Sequence, residues 1–191
     1  MTLDRVRRTL AGYAAREIEA PEARPAAVAL ILLEQSDGLE AVFIKRAARV
    51  GDPWAGRVAL PGGRHDPEDA DLLATAVRET REETGLDLAG AEGLGALDDL
   101  YPRTPTLPPV RVRTFVFALP ARRSLVPSTE VERAFWVPLS RLVEPGVRRE
   151  VRLLVGGVER VFPAYDLGED VIWGMTERIL TPFLALIGYV P

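Results

Sequence analysis

Residues 60–86, LPGGRHDPEDADLLATAVRETREETGL, join a glycine-rich loop to an acidic helical segment. The adjacent glycines Gly62-Gly63 allow the backbone to approach a ligand or an ion closely, because they carry no side chain. The pattern after them predicts a helix over residues 68–84, capped near Asp66 or Asp69 and ended by the next glycine. The loop and the helix together therefore form the candidate functional segment.

Three carboxylates of this helix, those of Glu79, Glu82 and Glu83, fall within an arc of about 100°. Like charges at this spacing destabilise a helix by roughly 0.2–0.5 kcal/mol per pair unless a positive charge compensates them. A bound divalent cation would supply that charge. Arg78, four residues before Glu82, would supply part of that positive charge. The alternative interpretation is therefore that the three carboxylates form a solvated, charged edge of the helix and bind no cation.

The remaining pattern predicts a helix over residues 3–18, a proline-containing linker over 20–25 and a helix over 171–187. The predicted strands are 27–33, 39–45, 57–60, 93–97, 110–119, 134–137, 151–155 and 158–162. This order indicates a mixed α/β domain of α+β type. No linker divides the chain, so we expect one domain over 1–191, with an N-terminal helix and linker (1–24), a core (25–165) and a C-terminal helix (166–191).

Some side chains are predicted to be core residues. In the acidic helix, one face should pack on a sheet; it comprises Leu73, Ala76, Val77, Thr80 and Thr84. The large aromatic side chains of Trp136 and Trp173 are also expected in the core, because tryptophans in such apolar segments usually pack there.

The composition limits the possible chemistry. The chain has 191 residues, no cysteine, one histidine and a net charge of −4. These values exclude thiolate chemistry, disulfides, iron–sulfur clusters and a site with several histidines in one chain. A metal site would depend on carboxylates, which favour Mg²⁺ or Mn²⁺. The acidic balance argues against binding to nucleic acid or a membrane surface. Because no signal peptide or membrane span is visible, we expect a cytoplasmic protein.

Residues 78–86, RETREETGL, with the glycines before them, resemble the Nudix hydrolase signature, Gly-x5-Glu-x7-Arg-Glu-U-x-Glu-Glu-x-Gly-U, where U is a bulky apolar residue. This chain departs from the signature at Thr80, which stands at a U position, and in the length of its loop. Counting from Gly62 reaches Glu68, and counting from Gly63 reaches Asp69, so either residue is a candidate for the first acidic position.

The resemblance implies a Nudix α/β/α sandwich with a mixed β-sheet and a catalytic loop and helix. It also implies hydrolysis of a pyrophosphate bond in a nucleoside diphosphate linked to another moiety, with Mg²⁺ or Mn²⁺ as cofactor. Glu79 and Glu83 would then be the principal metal ligands, Glu82 an additional ligand and Gly63 a carbonyl ligand. Arg78 would orient a carboxylate and would not touch the substrate.

A wider resemblance indicates the coenzyme A pyrophosphatase branch. It covers residues 45–48 (KRAA), 56–63 (GRVALPGG), 135–139 (FWVPL) and 172–176 (IWGMT). The implied substrate is coenzyme A or acyl-CoA, cut to 3′,5′-ADP and (acyl)phosphopantetheine. ADP-ribose, NADH or another nucleotide derivative is the alternative within the enzyme class. A non-catalytic nucleotide-sensing module is the alternative outside it, and a homodimer is expected by analogy with Nudix relatives.

Further candidates for the substrate site lie outside the acidic helix. Arg46, Arg57 and Arg103 are candidate phosphate contacts, because a planar guanidinium binds two phosphate oxygens at once. Tyr101, in a proline-containing loop, is a candidate contact for an adenine or pantetheine group. Glu130 is a candidate general base or additional metal ligand, since Nudix enzymes often use a carboxylate from outside the helix; a capping or surface role is its alternative.

Overall fold

The computed structural model describes residues 1–48, 54–102 and 108–189. Its helices are α1 (Leu3–Ala11), α2 (Leu72–Thr84), α3 (Leu139–Leu142) and α4 (Met175–Leu186). Its strands are β1 (Arg24–Gln35), β2 (Gly38–Arg46), β3 (Val58–Ala59), β4 (Gly62–Arg64), β5 (Glu92–Ala96), β6 (Val110–Leu119), β7 (Val131–Pro138), β8 (Arg148–Val155), β9 (Val158–Asp166) and β10 (Val171–Trp173).

The main sheet is mixed and has β1 at its centre. Its order is β3-β2-β1-β6-β5, with β4 paired to β1 and β7 paired to β2. The pairing of β1 with β6 is parallel, and its other pairings are antiparallel. Residues 29–33 of β1 are almost fully buried, as expected for a strand covered on both faces. The predicted mixed sheet is therefore confirmed.

Helices cover the two faces of this sheet. On one face, Leu30 and Leu32 pack in a cluster that also contains residues of α1 and α4. On the other face, Ala29 and Ile31 pack in a second cluster that includes Ala76 of α2. The alternation of these β1 side chains assigns them to opposite layers and gives an α/β/α sandwich. Helices α1 and α4 therefore share one hydrophobic cluster with the sheet, and the single domain over 1–191 stays a prediction.

A smaller antiparallel sheet, β10-β9-β8, follows the main sheet along the chain. Its hairpin turns at Gly156-Gly157, where both glycines have positive φ.

Within the described residues, no helix is long and apolar enough to cross a membrane.

Three predicted helix boundaries are wrong. The N-terminal helix ends at Ala11 and does not continue to residue 18. Helix α2 begins at Leu72, because Asp71 caps it by accepting a hydrogen bond from the Ala74 amide at 2.8 Å. The C-terminal helix begins only at Met175, because the preceding apolar residues form β10 and Gly174 turns the chain with a φ of +70°.

The predicted packing face of α2 is also wrong in part. Ala76, Thr80 and Thr84 are buried as expected, but Leu73 is 43% exposed. Thr75 is buried in its place, since its hydroxyl is hydrogen-bonded within the loop that precedes the helix. Tertiary hydrogen bonding thus sets which α2 side chains are buried in its first turn.

Candidate active site

An open cleft of about 460 Å³ lies where the loop before α2 meets α4 and the end of β2. Its lining contains five of the charged side chains that the sequence singled out, together with Gly63. The five are Arg46, Arg57, Glu79, Glu83 and Glu130. Residues distant in sequence therefore converge on one concave surface, which is the usual form of a small-molecule site.

The two glycines of the loop are required by close packing. Gly62 has a φ of +147°, and a Cβ there would collide with the carbonyl oxygen of Ala27 on β1. A Cβ on Gly63 would collide with the carboxylate of Glu79. Because β4 pairs with β1 through these residues, the sheet holds the loop directly against α2.

Glu83 places a carboxylate in the interior beside this loop. The residue is only 4% exposed, and its Oε2 accepts a hydrogen bond from the Gly62 amide at 2.9 Å. Its Oε1 lies 3.5 Å from the Arg46 guanidinium. The pKa of Glu83 is raised to about 7, chiefly by burial and also by the nearby charges of Glu79 and Glu130, against the opposing effects of the Gly62 amide and Arg46. The negative charge of Glu83 is thus only partly compensated.

Glu79 lies on the same side of α2, one turn earlier. Its carboxylate is held against Gly63 and accepts a hydrogen bond from Arg78 Nη1 at 2.9 Å. Burial raises the pKa of Glu79, and the Arg78 charge opposes that shift. Glu79 and Glu83 therefore bring two carboxylates, both with raised pKa values, to the floor of the cleft.

Arg78 orients carboxylates and does not line the cleft. Its Nε and Nη2 donate to the two oxygens of Asp69 at 2.8 and 2.9 Å, and its Nη2 also donates to the Arg64 carbonyl at 3.3 Å. Hydrogen bonds from Arg78 lower the pKa of Asp69 well below its usual range. Arg78 therefore contacts Asp69, one of the two candidates for the first acidic position, whereas the other candidate, Glu68, is exposed.

Glu82 is placed differently from its two neighbours. Its side chain is 59% exposed, accepts a hydrogen bond from Arg78 Nη1 at 3.1 Å and is absent from the cleft lining. Of the three predicted helix carboxylates, the structure brings Glu79 and Glu83 to the cleft and turns Glu82 towards solvent.

The other predicted substrate contacts divide into three groups. Arg46 and Arg57 line the cleft, as does Glu130. Tyr101 is absent from that lining, and its hydroxyl donates to Glu22 at 2.8 Å. Arg103 lies outside the described residues.

Trp173 is a cleft residue that the sequence interpretation placed in the core. It is partly exposed, and the guanidinium of Arg57 lies 4.1 Å from its ring centroid. Its other neighbour is Phe162, with ring centroids 4.8 Å apart. Trp136 is partly exposed too, beside Arg122. The available signal for Trp173 was its position directly before Gly174, where an apolar strand ends.

Comparisons with known proteins agree with this geometry. The NUDIX domain model matches residues 23–154. The mitochondrial coenzyme A diphosphatase NUDT8 of Homo sapiens is 34% identical over 183 residues, covering 94% of this chain and 75% of the human protein. The Mus musculus protein of the same name is 31% identical, covering 96% of this chain and 86% of the mouse protein.

Solved structures agree on the fold. A MutT/nudix family protein from Enterococcus faecalis superposes with a TM-score of 0.56 at 19% identity, covering 98% of this chain and 75% of that protein. The Ap4A hydrolase of C. elegans superposes with a TM-score of 0.54 at 18% identity, covering 64% of this chain and 85% of that one.

The fold and the site define a pyrophosphohydrolase of the Nudix type, which confirms the predicted enzyme class. The chain belongs to the NUDIX domain family. The human and mouse relatives are named mitochondrial, so the cytoplasmic location expected for this chain stays a prediction, as does the homodimer.

Nudix hydrolases generally use divalent metal ions, and the residues of the cleft fit such an ion. The donors are carboxylate oxygens, which suit hard cations, and among the described residues the charge of the buried Glu83 is offset by the Gly62 amide and by Arg46 at 3.5 Å. Among the described residues, no three acidic or histidine side chains are already gathered to hold an ion. Glu79 and Glu83 are thus the donors that fit best, since both line the cleft, whereas Glu82 is exposed outside its lining.

Proposed function

We propose that this protein hydrolyses the pyrophosphate bond of coenzyme A or an acyl-CoA, giving 3′,5′-ADP and (acyl)phosphopantetheine. The observation that carries the proposal is the placement of Glu79 and Glu83 against Gly62-Gly63, in a cleft with arginine side chains on its wall. Two relatives that match most of this chain and are named coenzyme A diphosphatases support the substrate.

We infer that Glu79 and Glu83 hold Mg²⁺ or Mn²⁺, with the Gly63 carbonyl as an additional ligand. When bound, such a cation offsets the charge of the pyrophosphate and makes a nearby water more acidic. The protein keeps Glu83 in place through the Gly62 amide, and it keeps Glu79 in place through Arg78 and the close packing on Gly63. Arg78 and Asp69 position these ligands and do not touch the substrate.

The bond changes are those of a simple hydrolysis. The oxygen of a water molecule attacks one phosphorus, the bond from that phosphorus to the bridging oxygen breaks, and the bridging oxygen leaves with the other phosphate. A carboxylate accepts the proton of the water. Glu130 fits this role or that of an additional ligand, because it lines the cleft and its charge raises the pKa of Glu83.

Arg46 and Arg57 would bind the phosphate oxygens of the substrate. Arg46 lies beside Glu83, so it would contact a phosphate next to the ion. Arg57 lies over the Trp173 ring, which fixes the plane of its guanidinium. A fixed, planar guanidinium binds two phosphate oxygens with little loss of side-chain entropy.

A substrate panel tests this proposal. The purified protein is incubated with coenzyme A, ADP-ribose, NADH or a nucleoside triphosphate, with Mg²⁺, with Mn²⁺ or with EDTA, and the products are separated by chromatography. We expect 3′,5′-ADP from coenzyme A only when a divalent cation is present. Turnover of ADP-ribose or NADH without turnover of coenzyme A would contradict the substrate, and turnover in EDTA would contradict the metal.

A further inference from the structure

Arg64 is a charged residue of the cleft wall that the sequence interpretation did not single out. It follows Gly63 directly, ends β4 and lines the same cleft as Glu79 and Glu83. The residue is exposed to solvent. In the part of the chain that the structure describes, no carboxylate forms an ion pair with its guanidinium. Its positive charge is therefore available to a ligand in the cleft.

The two arginines that the proposed function assigns to the pyrophosphate are placed differently. Arg46 lies 3.5 Å from the carboxylate of Glu83, and Arg57 lies over the ring of Trp173. Both are tied to residues of the cleft, whereas Arg64 reaches the cleft from the loop on the other side of Glu83. The cleft thus has a third cation, which the charge of the pyrophosphate does not require.

The backbone of Arg64 is fixed although its side chain is exposed. Its carbonyl oxygen accepts a hydrogen bond from Arg78 Nη2 at 3.3 Å, and the residue pairs with Ala26 of β1. Its Cα lies about 3.8 Å from that of Gly63, the proposed carbonyl ligand of the cation. The guanidinium therefore extends from a fixed point beside the metal site, and its distance from the pyrophosphate is limited by the length of one side chain.

The sheet register directs Arg64 towards an apolar part of the cleft. Arg64 lies opposite Ala26, which in turn lies beside Val112 of β6. Side chains in register on neighbouring strands share one face of a sheet, and successive residues alternate between faces. Gly63 accordingly faces α2, where Glu79 lies, and Arg64 faces the other way. Ala26, Val110 and Val112 all line the cleft, so they form an apolar floor next to Arg64.

We propose that Arg64 binds the 3′-phosphate at the nucleotide end of coenzyme A, and that it makes the enzyme prefer coenzyme A over the 3′-dephosphorylated form. This inference rests on the proposed function. Outside its pyrophosphate, coenzyme A has one further charged group, the 3′-phosphate, because the pantetheine arm is uncharged. One ribose separates that phosphate from the pyrophosphate, so a guanidinium one residue away from the Gly63 carbonyl matches its position. The apolar floor beside Arg64 suits the ribose and the base.

The chemistry of the two groups determines which kinetic constant should change. A phosphate monoester carries nearly two negative charges at neutral pH, and a guanidinium can donate two parallel hydrogen bonds to it. The 3′-phosphate takes no part in the reaction and keeps its charge throughout. Arg64 would therefore stabilise the bound substrate and the transition state equally, which lowers KM and leaves kcat nearly the same.

The kinetic test compares coenzyme A with 3′-dephospho-coenzyme A as substrates of the full chain in Mg²⁺. In the wild-type protein we expect kcat/KM to be about tenfold higher for coenzyme A, with most of the difference in KM. In the Arg64→Gln variant this ratio should fall to about one. Arg64→Lys keeps the charge without the planar guanidinium and should give an intermediate ratio. The matched control, Arg81→Gln, removes one positive charge from the exposed side of α2 and should keep the wild-type ratio.

A binding measurement separates recognition from turnover. The nucleotides 3′,5′-ADP and 5′-AMP differ only in the 3′-phosphate, and calorimetric titration of each into the protein in EDTA gives its Kd without any reaction. The wild-type protein should bind 3′,5′-ADP about tenfold more tightly than 5′-AMP. Arg64→Gln should bind the two nucleotides with similar Kd values, and Arg81→Gln should keep the wild-type difference.

The outcomes separate this inference from the proposed function. A wild-type ratio near one, or an equal fall of the ratio in Arg64→Gln and Arg81→Gln, would overturn the role of Arg64 while coenzyme A turnover still supports the proposed function. An Arg64→Gln variant that loses activity equally on both substrates would place Arg64 at the pyrophosphate and also overturn the inference. Absence of turnover for both substrates in the wild-type protein would overturn the proposed function itself.

Discussion

Two buried carboxylates beside α2, those of Asp69 and Glu83, differ in how their charges are compensated. Their side chains are equally buried, at 6% and 5% exposure. Asp69 accepts two hydrogen bonds from Arg78, one from the Thr75 hydroxyl and one from the Asp66 amide, and its pKa falls. Glu83 accepts one from the Gly62 amide, with Arg46 farther away, and its pKa rises to about 7.

The difference agrees with a structural role for Asp69 and with the metal-binding role proposed for Glu83. Desolvation disfavours both ionised groups. It is the largest influence on the pKa of Glu83, whereas the hydrogen bonds from Arg78 outweigh it for Asp69, so the two pKa shifts have opposite signs. Arg78 provides Asp69 with a full ion pair. Glu83 has less compensation and has Glu79 and Glu130 nearby, which is the arrangement expected where a cation completes the site.

The largest expected effect comes from Glu83→Gln. This variant removes the buried charge but keeps an oxygen that accepts the Gly62 hydrogen bond, so the fold should remain while kcat with Mg²⁺ falls by about 10³-fold or more. Steady-state kinetics and circular dichroism check both parts. Glu68→Gln, at an exposed loop position, is the control and should keep wild-type kcat. Full activity of Glu83→Gln would remove Glu83 from the metal site.

The pH dependence of stability is the second expected effect. Because the native pKa of Glu83 is raised from about 4.5 to about 7, the native state binds the proton more tightly than the unfolded state. The metal-free protein should therefore lose stability as pH rises through this window, by at most ~3 kcal/mol from this group.

Urea unfolding in EDTA at pH 5 and pH 8, for wild type and Glu83→Gln, measures that contribution. The variant should gain stability relative to wild type at pH 8 and not at pH 5. An equal difference between the two proteins at both pH values would contradict the raised pKa.

Glu130→Gln should lower kcat by ~10²-fold if Glu130 takes the proton of the attacking water. The same change should lower the pKa of Glu83, because the Glu130 charge raises it in the native protein. The control is Glu132→Gln, at an exposed position two residues further along the chain. A wild-type kcat in Glu130→Gln would discard the role as base.

Arg78→Ala should have the smallest effect. It should lower the free energy of unfolding through the loss of the Asp69 ion pair. It leaves a buried carboxylate without its ion pair, and we expect a loss of about 2 kcal/mol in unfolding free energy, since Arg78 itself is partly exposed. Chemical denaturation measures this loss. Arg81→Ala, on the exposed side of the same helix, should change stability by less than about 0.5 kcal/mol. Equal losses in both variants would show that the Asp69 ion pair contributes no specific stability.

The sequence predicted the elements whose signals are local. The bounds of β6 are those predicted, and the hairpin β1–β2 and the end of α2 at Gly85 agree closely with the pattern. It failed at the first turn of α2, where the pattern predicted Asp66 or Asp69 as the cap and the structure uses Asp71. Asp69 accepts hydrogen bonds from Arg78, and Asp71 caps the helix. Which aspartate takes which role depends on tertiary contacts.

The site shows the same division. The Arg-Glu-x-x-Glu-Glu pattern predicted which helix carries the carboxylates, but it did not separate the half-buried Glu79 and the buried Glu83 from the exposed Glu82. That separation arises because β4 packs on the side of α2 that carries Glu79 and Glu83, whereas Glu82 faces solvent. Trp173 was missed because its role depends on the path of β10 beside the cleft.

The sequence by itself determined the chemistry available to this protein: hard oxygen donors, no thiols, one imidazole and a helix that gathers three carboxylates on one edge. Helical periodicity and residue type are local properties of the chain, so the sequence is sufficient for them. Only the tertiary structure decided which carboxylates lose water and which receive an ion pair. Desolvation and charge compensation depend on residues distant in sequence, such as Gly62 and Arg46, which the fold brings to Glu83.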